Sequence, residues 1–170
     1  MQLHEEHKKE APDSVACKVI TVSDTRNEET DKSGRRMIDM LEASGHQVTS
    51  YEIVTDEIIL IQRAVRDGLI DDTIQAVLIN GGTGLAPRDV TIEAVTPLFE
   101  KEIPGFGELF RYLSYAEDIG SAAMMSRAAA GIAEKTAVFS TPGSTGAVKL
   151  AMEKLILPEL GHVVREMNKE

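Results

Sequence analysis

The chain has a single cysteine, no cluster of basic residues and no apolar run that approaches the length of a membrane span. Cys17 alone cannot close an internal disulfide, and it lies in an apolar stretch where a thiol acts as a small buried hydrophobe, so a reducing compartment is expected. Without about 18 consecutive apolar residues no membrane helix can form, and the polar N-terminus lacks the apolar core of a signal peptide; the expected location is the cytoplasm. Lys and Arg number 18 against 28 Asp and Glu, for a net charge of −10. Phosphate backbones are gripped by clustered cations, so a nucleic-acid partner is excluded, and any phosphate bound here must be held locally. A G-x-x-x-x-G-K-[ST] loop is absent, as is G-x-G-x-x-G in the form a dinucleotide fold requires, which argues against kinase, GTPase and dehydrogenase chemistry. No activated nucleophile is visible either: Cys17 is inside a strand, and His46 and His162 fall near helix ends, where surface or capping roles suffice.

What is present is an ordinary folded composition, 42% apolar and 27% charged over 170 residues, long enough for one domain with a real core. Residues 1–14 hold four acidic and two lysine side chains with only isolated apolar ones, and read as a flexible tail preceding a single domain over 15–170. Its His4, Glu5, Glu6 and His7 read as solvated rather than as metal ligands. The β-branched run Val15–Val22 suits a strand covered on both faces. Ser33 is a candidate cap for a helix that carries Met37, Ile38 and Leu41 and stops at Gly45. A strand over Val48–Val54, a helix through Ile58, Ile61, Val65 and Leu69, and a strand AVLIN (Ala76–Asn80) follow. Thr91 opens a short helix that Pro97 closes, and Phe106, Leu109, Phe110 and Leu113 mark another. SAAMMSRAAAG fits helix and irregular structure equally. A strand TAVFS (Thr136–Ser140) and a long terminal helix bent near Pro158 complete the chain. Strands alternating with helices imply a doubly wound α/β fold: a mostly parallel sheet with helices on both faces and ligands bound beyond the carboxyl ends of the strands.

Two loops at those ends stand out. NGGTG (Asn80–Gly84) and STPGSTG (Ser140–Gly146) each follow a buried strand and precede a helix. Glycine there lets backbone N–H groups approach an anion, and Thr83, Ser144 and Thr145 add hydroxyls. The plain alternative is a tight turn. Asp24, Asp56 and Asp89 occupy equivalent positions after the first three strands, where they can converge on a cation such as Mg²⁺ together with ligand phosphates, or merely shape turns. Arg88 can pair with Asp89 or hold a phosphate by its planar fork. With no protein nucleophile, the chemistry favoured is one in which an ionised substrate phosphate attacks and metal and backbone dipoles manage the charge.

Six segments, TVSDTR (Thr21–Arg26), DKSG (Asp31–Gly34), NGGTGLAPRDVT (Asn80–Thr91), IPGFGELFR (Ile103–Arg111), SRAAAG (Ser126–Gly131) and STPGS (Ser140–Ser144), together resemble the molybdopterin-binding family of molybdenum-cofactor biosynthesis, in family order over about residues 15–165. The resemblance implies an α/β fold, a trimeric or hexameric homo-oligomer and, in the active branch, Mg²⁺- and ATP-dependent adenylylation of molybdopterin. It implies that Asp56 and Asp89 are the metal and catalytic aspartates and that Gly81, Gly82, Thr83 and Gly84 form the nucleotide-phosphate loop. Ser126 and Ser140, just ahead of Pro142 and Gly143, match pterin-side positions; Asp24, Arg88 and Ser144 complete the expected binding set. The active adenylyltransferases usually carry Asn where this chain has Ser140, which places it closer to the MoaB-type branch than to the MogA-type. Two functions follow: a molybdopterin adenylyltransferase, or a carrier or assembly protein that keeps the pterin and nucleotide pocket with weak or no turnover.

Overall fold

The computed structural model describes residues 12–169. Most of the expected tail, with His4, Glu5, Glu6 and His7, lies outside the described residues. Among the described residues six strands form one sheet in the order β2-β1-β3-β6-β5-β4. They are β1 (Ala16–Val22), β2 (Gln47–Val54), β3 (Ala76–Asn80), β4 (Lys101–Glu102), β5 (Ala129–Ala133) and β6 (Thr136–Thr141). The helices are α1 (Lys32–Ala43), α2 (Ile58–Leu69), α3 (Thr91–Val95), α4 (Pro104–Glu117), α5 (Thr145–Ala151) and α6 (Leu157–Met167), with short 3₁₀ turns at Thr96–Leu98 and Gly120–Met125.

The alternation of β1 divides the core. Cys17 and Val19 pack on one side with Met37 and Leu41 of α1, Phe110 of α4 and Met152, while Ile20 and Val22 pack on the other with Ile61 and Val65 of α2. All of these side chains are buried, and burying an aliphatic side chain of this size contributes about 1.5–3 kcal/mol, so both layers of helices are fixed by the strand pattern. Burial also pushes the Cys17 thiol up to about 12, in keeping with its expected role as a hydrophobe.

Three local expectations change. The cap of α1 is Asp31, whose carboxylate accepts the N–H of Gly34 at 3.0 Å; Ser33 instead donates to the carbonyl of Gly143 at 2.6 Å. The terminal helix is interrupted by a π-helical turn at Met152–Ile156, just ahead of Pro158 in the first turn of α6. Proline there has no N–H to return to the preceding turn, which accounts for the break. The ambiguous stretch resolves into a 3₁₀ turn and then β5, which runs antiparallel to β6 with Ala129 opposite Ser140 and Ala133 opposite Thr136. This Ala- and Gly-rich strand has Ile132 as its single β-branched residue, and Phe99 lies where a side chain on Gly131 would have to sit.

Candidate nucleotide and pterin cleft

Register levels the sheet at one edge. Thr21 pairs with Asn80, Asn80 pairs with Thr141, and Val22 pairs with Val54, so the loops that leave β1, β2, β3 and β6 all emerge together. The strand order turns back between β1 and β3, the crevice position expected for a ligand in an open parallel sheet. Because β5 runs the opposite way, the residues that enter it, Met125 to Arg127, arrive at the same edge.

These segments enclose a cleft of about 470 Å³ lined by Asp24, Asp56, Gly81, Gly82, Thr83, Gly84, Asp89, Ser126, Pro142 and Gly143. Three of the expected binding residues do not line it. Ser140 is fully buried in β6, and its hydroxyl has no hydrogen-bond partner among the described residues. The Ser144 hydroxyl accepts the Ala147 N–H at 3.1 Å and caps α5. Arg88 turns away from Asp89 and grips Asp24, with its Nε 3.0 Å from Oδ2 and its Nη2 2.7 Å from both carboxylate oxygens. A groove of about 670 Å³ along α1, lined by Arg35, Arg36, Asp39 and Lys149, holds none of the expected site residues.

The pairing of Asp24 narrows the acidic convergence. Its carboxyl is held below the ordinary range, chiefly by the Arg88 hydrogen bond, and its Oδ1 also accepts the Asp56 N–H at 3.1 Å. Among the described residues no group of three or more His, Cys, Asp or Glu side chains is placed to hold a metal ion. Asp56 and Asp89 remain. The Asp56 carboxyl is raised, first by burial and then by the charges of Asp24 and Asp89, against smaller opposing effects of the Arg88 charge and the Asp24 backbone N–H. Asp89 Oδ2 accepts the Ala86 N–H at 3.0 Å. A pair of carboxylates, one of them crowded by burial and like charge, is the donor set that suits Mg²⁺ shared with ligand phosphates.

The first glycine loop has a backbone only glycine accepts readily. Gly81 has φ +99° and Gly82 φ +65°; a Cβ on Gly81 would collide with the Val22 carbonyl, and one on Gly82 would collide with Thr91 Oγ1 and stand 2.8 Å from Asp56 Oδ1. The N–H groups of Gly82, Thr83 and Gly84 donate no hydrogen bond to the described residues, whereas Gly81 N–H is taken by the Thr141 carbonyl at 3.1 Å. Helix α3 begins only at Thr91, so these loop amides, rather than a helix terminus, face any anion here. The second glycine loop packs directly on the first: a Cβ on Gly143 would lie 2.9 Å from the Gly81 Cα.

Two arginines of the cleft escape a reading by residue type. Arg26 Nη2 donates to the Gly143 carbonyl at 2.8 Å and its Nη1 lies 3.5 Å from the buried Asp31 carboxylate. Arg127 reaches the glycine loop itself. Their signal is positional: each stands inside a motif that meets the sheet edge, TVSDTR leaving β1 and SRAAAG entering β5.

Comparison with known proteins supports the fold and the family. A family described as "Probable molybdopterin binding domain" matches residues 18–162. The chain is 69% identical over 166 residues to the molybdenum cofactor biosynthesis protein B of Bacillus subtilis (strain 168), covering 98% of each chain. Its fold is similar to that of a crystal structure of molybdenum cofactor biosynthesis protein B, with TM-score 0.92 and 58% identity over 95% of this chain and 100% of that one. It is also similar to the tungsten cofactor synthesizing protein MoaB from Pyrococcus furiosus, with TM-score 0.82 and 39% identity over 94% of this chain and 100% of that one.

Proposed function

The chain belongs to the molybdopterin-binding domain family, and we propose that it binds molybdopterin and Mg-ATP in this cleft and transfers AMP to the terminal phosphate of molybdopterin, in the cytoplasm. The observation that carries the reading is the juxtaposition of unpartnered amides at Gly82 to Gly84 with the half-buried Asp56 carboxylate, whose Oδ1 lies 2.8 Å from where a Cβ on Gly82 would sit. Amides with no internal acceptor suit a polyphosphate, and a carboxylate crowded by like charge suits the cation that accompanies it. Asp56 and Asp89 would hold Mg²⁺, which when bound supplies neutralising charge to the phosphates.

The chain's own residues do the rest. The loop amides hold the polyphosphate, Arg26 and Ser33 fix the Gly143 carbonyl and so the second loop, and Ser126 lines the facing wall. The terminal phosphate oxygen of molybdopterin attacks the α-phosphorus of ATP; a new P–O bond forms as the α–β anhydride bond breaks, and pyrophosphate leaves with the bonding pair. Such a transfer needs positioning more than a protein base or nucleophile. Pyrophosphate release with molybdopterin and Mg-ATP, matched by adenylylated pterin in a mass spectrum, is the expected result. Pterin binding with no pyrophosphate would overturn it in favour of a second reading, a carrier or assembly protein, which Ser140 favours by lying buried and outside the cleft.

The same reading includes a homo-oligomer, trimer or hexamer. Leu109, Tyr112 and Tyr115 on α4 and Met124 in the following turn form an exposed apolar face, with Met124 84% exposed. A second copy of the chain is the occupant the family resemblance implies. Light scattering should give a multiple of the protomer mass, and a clean mass near 18.5 kDa would remove the idea.

A further inference from the structure

Arg127 lines the cleft beside Ser126, with a side chain 27% exposed, and invites reading as a phosphate ligand. Its donors are already committed. Nε donates to the Thr83 carbonyl at 2.9 Å, Nη2 to the carbonyls of Gly84 at 2.8 Å and Asp89 at 3.1 Å, and Nη1 to the carboxylate of Glu93 on α3. Glu93 neutralises the guanidinium and fixes the plane of its fork.

We propose that Arg127 is a positioning residue that sets which way the glycine loop faces, so that the loop amides are presented to the ligand. The proposal rests on the polyphosphate reading of the same cleft. A trans peptide is planar, and its C=O and N–H point in opposite directions. Holding the Thr83 carbonyl against Arg127 therefore aims the Gly84 N–H the other way, and holding the Gly84 carbonyl does the same for the Leu85 N–H. Neither N–H donates to anything among the described residues. The third carbonyl anchors the main chain of Asp89, whose carboxylate is held from the far side by the Ala86 N–H. One guanidinium thus fixes the amides and the acidic residue in a single arrangement, and it ties them to the segment that carries Ser126. Lysine cannot replace it, because an ammonium gathers its donors at one point and cannot span carbonyls that lie apart on a fork.

The test compares wild type with Arg127→Lys by amide hydrogen exchange and by calorimetric titration with Mg-ATP, alongside thermal melts. Ala86, Asp89 and Thr91 carry amides bonded within the loop region and report its order without any ligand. In Arg127→Lys their exchange should quicken by about tenfold while Leu78 in β3 stays protected, and Mg-ATP affinity should fall by about tenfold. For Arg127→Ala, guanidinium ion at sub-denaturing concentration should recover part of the affinity, which global unfolding would not allow. Lost affinity with unchanged exchange would make Arg127 a direct ligand contact and overturn the proposal, as would faster exchange with unchanged affinity, or no change in either. If wild type itself fails to bind Mg-ATP, the nucleotide reading falls, and the exchange arm still decides whether Arg127 orders the loop.

Discussion

Arg88 and Asp24 are joined side by side at the mouth of the cleft, the guanidinium Nη2 2.7 Å from both carboxylate oxygens, and the same carboxylate accepts the Asp56 N–H at 3.1 Å. Asp24 is therefore a support for Asp56. The two side chains are 60% and 37% exposed, so solvent screens the pair and it adds little to the stability of the fold. Asp24→Ala is expected to leave the melting temperature nearly unchanged while loosening the Asp56 turn and lowering Mg-ATP affinity several-fold. A melting point lower by more than about 5 °C with full affinity would assign Asp24 to the fold instead.

Asp89 has two jobs that an alanine variant would remove together, since its Oδ2 closes the turn to Ala86 N–H as well as presenting charge to the cleft. Asp89→Asn keeps an oxygen for the turn and removes the charge. The expected outcome is an unchanged fold by circular dichroism and an adenylyl transfer rate lower by roughly a thousandfold, about 4 kcal/mol of lost transition-state stabilisation. Turnover near the wild-type rate would reduce Asp89 to a turn residue.

Gly82 and Gly84 separate backbone strain from crowding of the site. Alanine at Gly82 must adopt φ +65° and press on Thr91 Oγ1 and Asp56 Oδ1, so a stability loss of about 1–3 kcal/mol should accompany weaker Mg-ATP binding. At Gly84, whose φ lies outside the left-handed region, the new Cβ meets chiefly the Asp89 carboxylate, with Oδ2 at 2.6 Å. Gly84→Ala should then weaken Mg-ATP binding with a smaller loss in denaturant titration. Equal losses of stability in the two variants would refute the distinction.

How far the sequence reveals this molecule depends on the range of the interaction involved. The β-branched runs and the apolar spacing of α1 and α2 express burial on one strand or helix face, and they show up residue by residue. The glycine loop is legible for a similar reason, because NGGTG directly after a buried strand implies unusual backbone. The pairing of Arg88 spans 64 positions and that of Arg127 with Thr83 spans 44, and nothing local to either arginine distinguishes Asp24 from Asp89 or a carbonyl from a phosphate. Ser33 and Asp31 stand only two positions apart, a difference that cap propensity alone does not resolve. Strand β5 is hidden because its stability comes from pairing with β6 and from Phe99 over Gly131, and its own residues, Ile132 apart, show no strand preference.

His46 gives the stability a pH dependence with a definite sign. The ring joins the connection between α1 and β2 to the start of β1: its Nδ1 accepts the Val15 N–H at 3.1 Å, which requires that nitrogen to be unprotonated. Burial lowers its pKa from the ordinary 6.5, so between the ordinary value and the folded one the unfolded chain holds more protons than the folded chain. Stability from this group is thus fully present above 6.5 and is lost as the pH falls from there through the folded value. His46→Asn offers Val15 an oxygen acceptor that does not titrate. Melting curves from about pH 7 down to about pH 5 should show the wild type losing stability relative to the variant, since contributions from every other group are common to both. Parallel profiles would mean that protonated His46 is accommodated without breaking the Val15 bond, and the link between that bond and pH would fail.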